Sequence, residues 1–160
     1  MALRTGQLLM DLFQSSNEWK DLQGEDFDHF RYILLQIAED IISVCEKYNL
    51  RYCLAYGSVL GCVRHNGFIP WDDDLDIFMP REDYLKFIPI MQDEMGEKYY
   101  VRSVSNGDKI AVTTCHVRLK GTKYINYGDL VLTSNEPDDI RGIYIDINPL
   151  DDAYDNSLFR

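Results

Sequence analysis

Four of the five residues from Asp72 to Asp76 are aspartates, and apolar segments flank them, Phe68-Ile69-Pro70-Trp71 before and Ile77-Phe78-Met79 after. Unit charges ~4 Å apart repel by ~1 kcal/mol in bulk water and by ~4 kcal/mol at an effective dielectric of ~20. A chain cannot hold such a run at the mouth of a core unless something positive sits among the carboxylates. If a strand begins near Asp72, its period of two puts Asp72, Asp74 and Asp76 on one face and sends Leu75, Ile77 and Met79 into the core. Carboxylates two positions apart can converge on one hard cation. Oxygen-only ligation with no His or Cys nearby points to Mg²⁺ or Mn²⁺ rather than zinc. The bland alternative is an acidic surface turn, and the apolar frame argues against it. A calcium-binding EF-hand is excluded, because Ile77 stands where that loop needs glycine and Asp83 where it needs a bidentate glutamate.

The rest of the chain supplies a scaffold. Phe27, Phe30, Leu34, Ile37, Ile41, Val44 and Tyr48 recur at steps of three and four, one stripe of a helix over 26–48, widened by Leu35, Ala38, Ile42 and Cys45. Arg31, Glu39, Asp40, Glu46 and Lys47 are expected on its solvated side. A short strand over 52–56 leads through Gly57-Ser58 into a short helix over 59–64, with Ser58 as its N-cap. Leu75–Met79 reads as a strand. Pro80 opens a helix with Glu82 and Asp83 in its first turn and Tyr84, Phe87, Ile88 and Met91 on its buried face. Segments near 99–101, 113–119 and 142–148 have strand character. The order α, β, α, β, α, β, β, β predicts an α+β (or α/β) domain, helices packed on a mixed sheet. At 160 residues one domain over 1–160 can bury roughly 70% of its unfolded surface.

Two further places can complete a site. Glycine at 57 permits close backbone approach, and the helix after Ser58 presents unpaired N–H groups and a positive dipole end, both suited to phosphate. Ile143–Asn148 alternates so that Tyr144, Asp146 and Asn148 share a face. A carboxylate in an apolar strand asks for a partner, so Asp146 is a third metal ligand or a group that orients or deprotonates an attacking hydroxyl. Arg64 suits phosphate oxygens with its fork, and His65 can cap the same helix. His29 and His116 have no metal-ligand company and are read as structural. Tyr56, Trp71, Tyr124, Tyr127 and Tyr144 are candidate walls for a cation.

A net charge of -11 works against nucleic-acid and anionic-membrane partners. Cys45, Cys53, Cys62 and Cys115 form no CxxC pair and are expected as buried, reduced thiols. The N-terminal apolar run is too short for a signal peptide, and no stretch approaches the ~20 apolar residues of a spanning helix. A cytoplasmic chain is the expectation.

The continuous run from Ala55 to Ile77, AYGSVLGCVRHNGFIPWDDDLDI, continued by Met79-Pro80-Arg81-Glu82-Asp83-Tyr84, resembles the hallmark of the LicD family, which includes fukutin-related proteins. GIYIDINPLD over 142–151 resembles the family's second block. The resemblance implies a polymerase-beta-type nucleotidyltransferase fold. In it Gly57-Ser58 is the glycine-serine element that binds substrate, Asp74 and Asp76 are the metal-binding catalytic pair and Asp146 is the third acid. The residues themselves add Arg64 as a substrate-binding group and Asp72 as a further metal ligand. The resemblance further implies Mg²⁺ (or Mn²⁺), a CDP-activated alcohol such as CDP-choline as donor, and a teichoic acid, lipopolysaccharide or other glycan or glycolipid acceptor, which would bring the protein peripherally to a membrane. The chain stops at Arg160, soon after Pro149-Leu150-Asp151, where family members continue, so a core without the acceptor-binding C-terminal part is expected. Nucleotidyl transfer to a small acceptor, sugar transfer from a sugar nucleotide, and a non-catalytic nucleotide- or metal-binding module are the competing readings.

Overall fold

The computed structural model describes residues 22–108, 113–124 and 140–153. The first helix, α1, runs Glu25–Lys47, with Glu25, Asp26 and Asp28 in the first turn and Lys47 in the last, both favourable to the helix dipole. It ends where Asn49 takes φ 52°, and the Leu50 N–H turns back to the Cys45 carbonyl at 2.8 Å. That is a Schellman termination with asparagine in the usual glycine place. Phe30, Leu34, Ile37, Ile41 and Val44 are buried as the periodicity requires, but Leu35 and Tyr48 are exposed, so the buried stripe is narrower than expected.

After α1 come β1 (Cys53–Leu54), α2 (Tyr56–His65), β2 (Asp76–Pro80), α3 (Arg81–Met95), β3 (Tyr99–Arg102), a 3₁₀ turn (Val104–Asn106), β4 (Cys115–Leu119) and β5 (Tyr144–Leu150). The element order matches the sequence reading. The five strands form one sheet in the order β1-β2-β5-β4-β3, with β2 and β5 parallel and every other pairing antiparallel. Asp146 therefore sits on the middle strand, not on an edge.

The two sheet faces differ in chemistry. Ile77 and Met79 of β2, Ile145 and Ile147 of β5, Cys115 and Val117 of β4, and Tyr99 and Val101 of β3 join α1 and α3 in one core. Alternation gives the opposite face Asp76, Asp146, His116 and Arg102, which stand in one row across β2, β5, β4 and β3. One face holds the fold together, and the other carries ionisable groups in register.

Several local expectations are corrected. β2 begins at Asp76 rather than near Asp72, so strand alternation does not place Asp72 or Asp74. α2 begins at Tyr56 with Ala55 before it, which puts Ser58 inside the helix instead of at its cap. Arg31 and Asp40 are half-buried rather than fully solvated: Tyr99 Oη and Lys98 Nζ both donate to Asp40 Oδ2 at 2.6 Å. Asp83 is buried and receives Arg51 Nε at 2.6 Å, so it works through an ion pair as well as through the helix dipole. Cys45 and Cys115 are buried free thiols, whereas Cys53 and Cys62 are exposed. Among the described residues no helix is long and apolar enough to cross a membrane.

Candidate active site

The aspartate run lies between α2 and the head of β2, and its shape comes from three contacts that patterning alone does not reveal. Arg31 reaches from α1 and donates through Nε and Nη2 to the Asp72 carbonyl at 3.0 and 2.8 Å, and through Nη2 to the Ile69 carbonyl at 2.6 Å. Its guanidinium also lies over the Phe27 ring, 4.0 Å from the centroid. The other two contacts are glycines one helical turn apart. A Cβ on Gly61 would stand 2.5 Å from the Gly67 carbonyl oxygen, and one on Gly57 would stand 2.8 Å from Asp72 Oδ2. α2 thus presents a bare groove into which the 67–72 loop packs. The expected apolar frame is only partial, since Phe68 and Ile69 are half-buried while Trp71 is exposed. Because the Gly61 clash is with backbone, Gly61→Ala is expected to destabilise the fold by about 1–3 kcal/mol in denaturant unfolding. Cys62→Ala, on the exposed next position, should change stability little.

At the start of α2 the chain turns sharply. Tyr56 has φ 42°, a left-handed conformation that a bulky side chain seldom adopts, and its exposed ring meets Phe78 edge-on with centroids 4.7 Å apart. The Ser58 and Val59 N–H groups both return to the Ala55 carbonyl, which leaves those of Tyr56 and Gly57 without a helical acceptor. The Ser58 hydroxyl oxygen accepts the Asp76 N–H at 2.8 Å. Ser58 therefore ties the first turn of α2 to the first residue of β2, and its own proton remains available to a substrate oxygen.

Asp76 and Asp146 are register partners on the parallel strands β2 and β5, and neighbouring strands lie ~4.8 Å apart, so the two side chains leave the sheet side by side. Asn148 Nδ2 donates to Asp76 Oδ1 at 3.3 Å, and His116 Nε2 lies 2.9 Å from Asp146 Oδ1. Burial and then the charge of Asp146 push Asp76 up to about 6, with the Asn148 hydrogen bond acting the other way. Asp74 is pushed up to about 7, by desolvation first and then by Asp72, Asp76, Asp73 and Asp146. Its outer side is exposed, and the field of the four neighbouring carboxylates adds to the desolvation. Asp73 turns aside, where Tyr124 Oη donates to its Oδ2 at 3.1 Å.

Of the residues named from sequence, Gly57, Ser58, Asp72, Asp74, Asp76 and Asp146 are thus gathered where α2, β2 and β5 meet. Arg64 is not with them: it is exposed in the last turn of α2, six residues and ~9 Å of helix rise beyond Ser58. Among the candidate cation walls, Tyr144 already has Arg118 Cζ 4.0 Å from its centroid, and Tyr124 packs on Phe30. Tyr127 lies outside the described residues. Arg31, His116 and Asn148 are the participants that the motif did not announce. The Cys115–Leu119 alternation already put His116 and Arg118 on one face, a signal that becomes informative only once β4 is known to lie beside β5.

Among the described residues no group of three or more His, Cys, Asp or Glu side chains stands close enough together to hold a metal ion as placed. The donor set nonetheless suits a hard cation. It is carboxylate only, His116 being engaged with Asp146, and Asp74 and Asp76 are displaced upward first by burial and then by the charge of neighbouring carboxylates, which a cation would offset.

A family model described as LicD/FKTN/FKRP, nucleotidyltransferase domain, matches residues 49–136. That span holds Gly57, Ser58 and the whole aspartate run, and the sheet brings Asp146 to them from outside it. Lipopolysaccharide cholinephosphotransferase LicD of Haemophilus influenzae is 30% identical over 121 residues, which are 70% of this chain and 46% of that protein. Human ribitol 5-phosphate transferase FKRP is 42% identical over 50 residues, 31% of this chain and 10% of that protein. The chain spans about half the length of the bacterial relatives it matches. A matched family model over more than half of the chain, laid on a helix-and-sheet site with acidic residues gathered at one end, leads to one conclusion: this protein belongs to the LicD/FKTN/FKRP nucleotidyltransferase-domain family.

Proposed function

We propose that this chain transfers a phospho-alcohol group, phosphocholine from CDP-choline first among the candidates, to a sugar hydroxyl of a cell-surface glycan such as teichoic acid or lipopolysaccharide. The observation that carries the reading is the register pairing of Asp76 with Asp146 beside Asp74, next to the N-terminus of α2. The names of the two relatives support the class, since one is a cholinephosphotransferase and the other a ribitol 5-phosphate transferase.

In this account Asp74, Asp76 and Asp146 hold Mg²⁺ or Mn²⁺, with Asp72 as helper. The bound cation supplies neutralisation of the charge on the donor's pyrophosphate and on the departing CMP. The free N–H groups of Tyr56 and Gly57 and the Ser58 hydroxyl receive non-bridging phosphate oxygens. Arg31 and the two glycines keep the loop from relaxing away from this geometry. The sugar hydroxyl attacks the phosphorus in line: its oxygen forms the new P–O bond as the bond to CMP breaks, and its proton passes to solvent.

The test is a donor labelled separately in choline and in cytidine, incubated with glycan acceptor and Mg²⁺. The proposal requires the choline label on the acceptor and the cytidine label in free CMP. Cytidine on the acceptor would establish nucleotidyl transfer instead. Donor binding measured by calorimetry with no turnover would establish a binding module.

A further inference from the structure

The functional reading leaves one buried polar assembly unexplained. His116 is 8% exposed and Arg118 2% exposed, two positions apart on β4, on the sheet face that bears Asp146. The His116 ring stacks on Tyr144, with centroids 4.6 Å apart and planes at 21°, and the Arg118 guanidinium lies over the same residue. Arg118 Nη2 is 3.0 Å from His116 Nδ1, and Arg118 Nη1 donates to the Gly142 carbonyl at 3.3 Å. His116 Nε2 faces Asp146 Oδ1 at 2.9 Å and Thr114 Oγ1 at 3.3 Å.

These contacts assign the tautomer. A guanidinium has only N–H groups to offer, so Nδ1 must be the bare, accepting nitrogen and Nε2 must carry the proton. An imidazole so fixed can only donate to Asp146. We propose that His116 is a positioning residue for the acidic pair, locked by Arg118 as a neutral donor that holds Asp146 in the orientation needed to share a cation with Asp76. The inference rests on the metal-site reading above.

The arrangement answers a physical difficulty. Two carboxylates in register repel, and without a restraint Asp146 would rotate away from Asp76. An arginine or lysine set directly on Asp146 would restrain it but would also neutralise it and compete with the cation. Interposing a neutral imidazole keeps the restraint, keeps the negative charge, and places the guanidinium one ring further off. Oδ1 is taken by His116, and Oδ2 is left for the cation. Outer partners that orient ligands in this way are typically worth 10–100-fold in metal affinity.

The experiment combines Mn²⁺ titration of the whole chain with ¹⁵N NMR of its histidines. His116→Phe keeps a ring to stack on Tyr144 but has no donor, and is expected to bind Mn²⁺ about 10-fold more weakly than the parent. His116→Gln retains one donor and one acceptor and should stay within about threefold of the parent. A role in packing alone would make the two variants alike in Mn²⁺ affinity. In the parent, His116 should show a proton on Nε2 and none on Nδ1. Equal Mn²⁺ affinity for parent and His116→Phe, or a proton on Nδ1, overturns the proposal while leaving the metal site standing. A parent that binds no Mn²⁺ overturns the metal-site reading itself, and the proposal falls with it. Should His116→Phe fail to fold, the tautomer in the parent still decides.

Discussion

Replacing Asp76 with asparagine should abolish turnover and, in the metal-free protein at pH 8, raise the melting temperature. Asp76 sits at the head of β2, held by the Ser58 hydroxyl at its N–H, paired with Asp146 in register and bonded by Asn148. Its carboxyl is displaced up to about 6 by burial and by Asp146, so at pH 8 its ionised form is a net burden on the fold. Asparagine has the same shape, keeps an oxygen for Asn148 and removes the charge. Allowing for partial solvent access, the gain should be about 1–2 kcal/mol, roughly 3–6 °C for a domain of this size. The loss in function is much larger. A carboxylate that fixes a charge-neutralising cation is worth several kcal/mol in a phosphoryl-transfer transition state, a fall of ~10³-fold or more in kcat/KM. Opposite signs for stability and activity separate this account from one in which the aspartates merely decorate a surface turn. In that case Asp76→Asn would leave both quantities nearly unchanged.

The second large effect is a dependence of stability on pH that a divalent cation should reverse. Asp74 and Asp76 are raised to about 7 and about 6 from a value of 3.8. Groups raised on folding contribute stability that is fully present below the unfolded value and lost as pH rises through the folded one. Between about pH 4 and about pH 7 the metal-free protein should therefore become less stable. Asp40 and Asp83 are displaced downwards, Asp40 by Lys98 and Tyr99 against its burial and Asp83 chiefly by Arg51. Their contribution is present above 3.8 and lost as pH falls below it, so the stability maximum should lie at about pH 4. Mn²⁺ or Mg²⁺ binds the ionised acids. At 100-fold excess over its dissociation constant it should add about 2.7 kcal/mol at pH 8 and markedly less at pH 5. Thermal melts at both pH values, with and without the cation, check this. A cation effect equal at the two pH values, or unchanged in Asp76→Asn, would contradict it.

Much of this was legible before any coordinates. The Phe30–Val44 stripe, the buried alternation of Ile77 and Met79, and the Tyr84–Met91 face are consequences of periodicity, and the structure has them in place. The aspartate run likewise advertised its chemistry through the implausibility of so much clustered charge. The sequence reading went astray where tertiary contacts decide local form. It reads the strand as Leu75–Met79, within a residue of β2, but also entertains a start near Asp72, because period-two spacing is the simplest way to make three aspartates converge. In the structure the convergence of Asp72 and Asp74 comes from a loop packed against two glycines and gripped by Arg31 across about 40 residues, interactions that leave no periodic trace. Ser58 was misread for a related reason. Serine before a helix is a capping signal, but Tyr56 in a left-handed turn starts the helix three residues earlier. His116 lacked metal-ligand neighbours in sequence, and its partner Asp146 becomes its neighbour only when β4 pairs with β5.

These corrections make the site more specific than the motif alone. The acids are set by three different devices: a strand register for Asp76 and Asp146, an arginine clamp on the loop backbone for Asp72, and a position between them for Asp74. The measurement that tests the whole most directly is a crystal of the chain soaked with Mn²⁺ and CDP-choline and read by anomalous scattering. The account predicts an anomalous peak bounded by Asp74, Asp76 and Asp146, with the donor's pyrophosphate between it and the first turn of α2 at Gly57 and Ser58. Nucleotide bound elsewhere, or bound at α2 with no manganese among these three carboxylates, would contradict it.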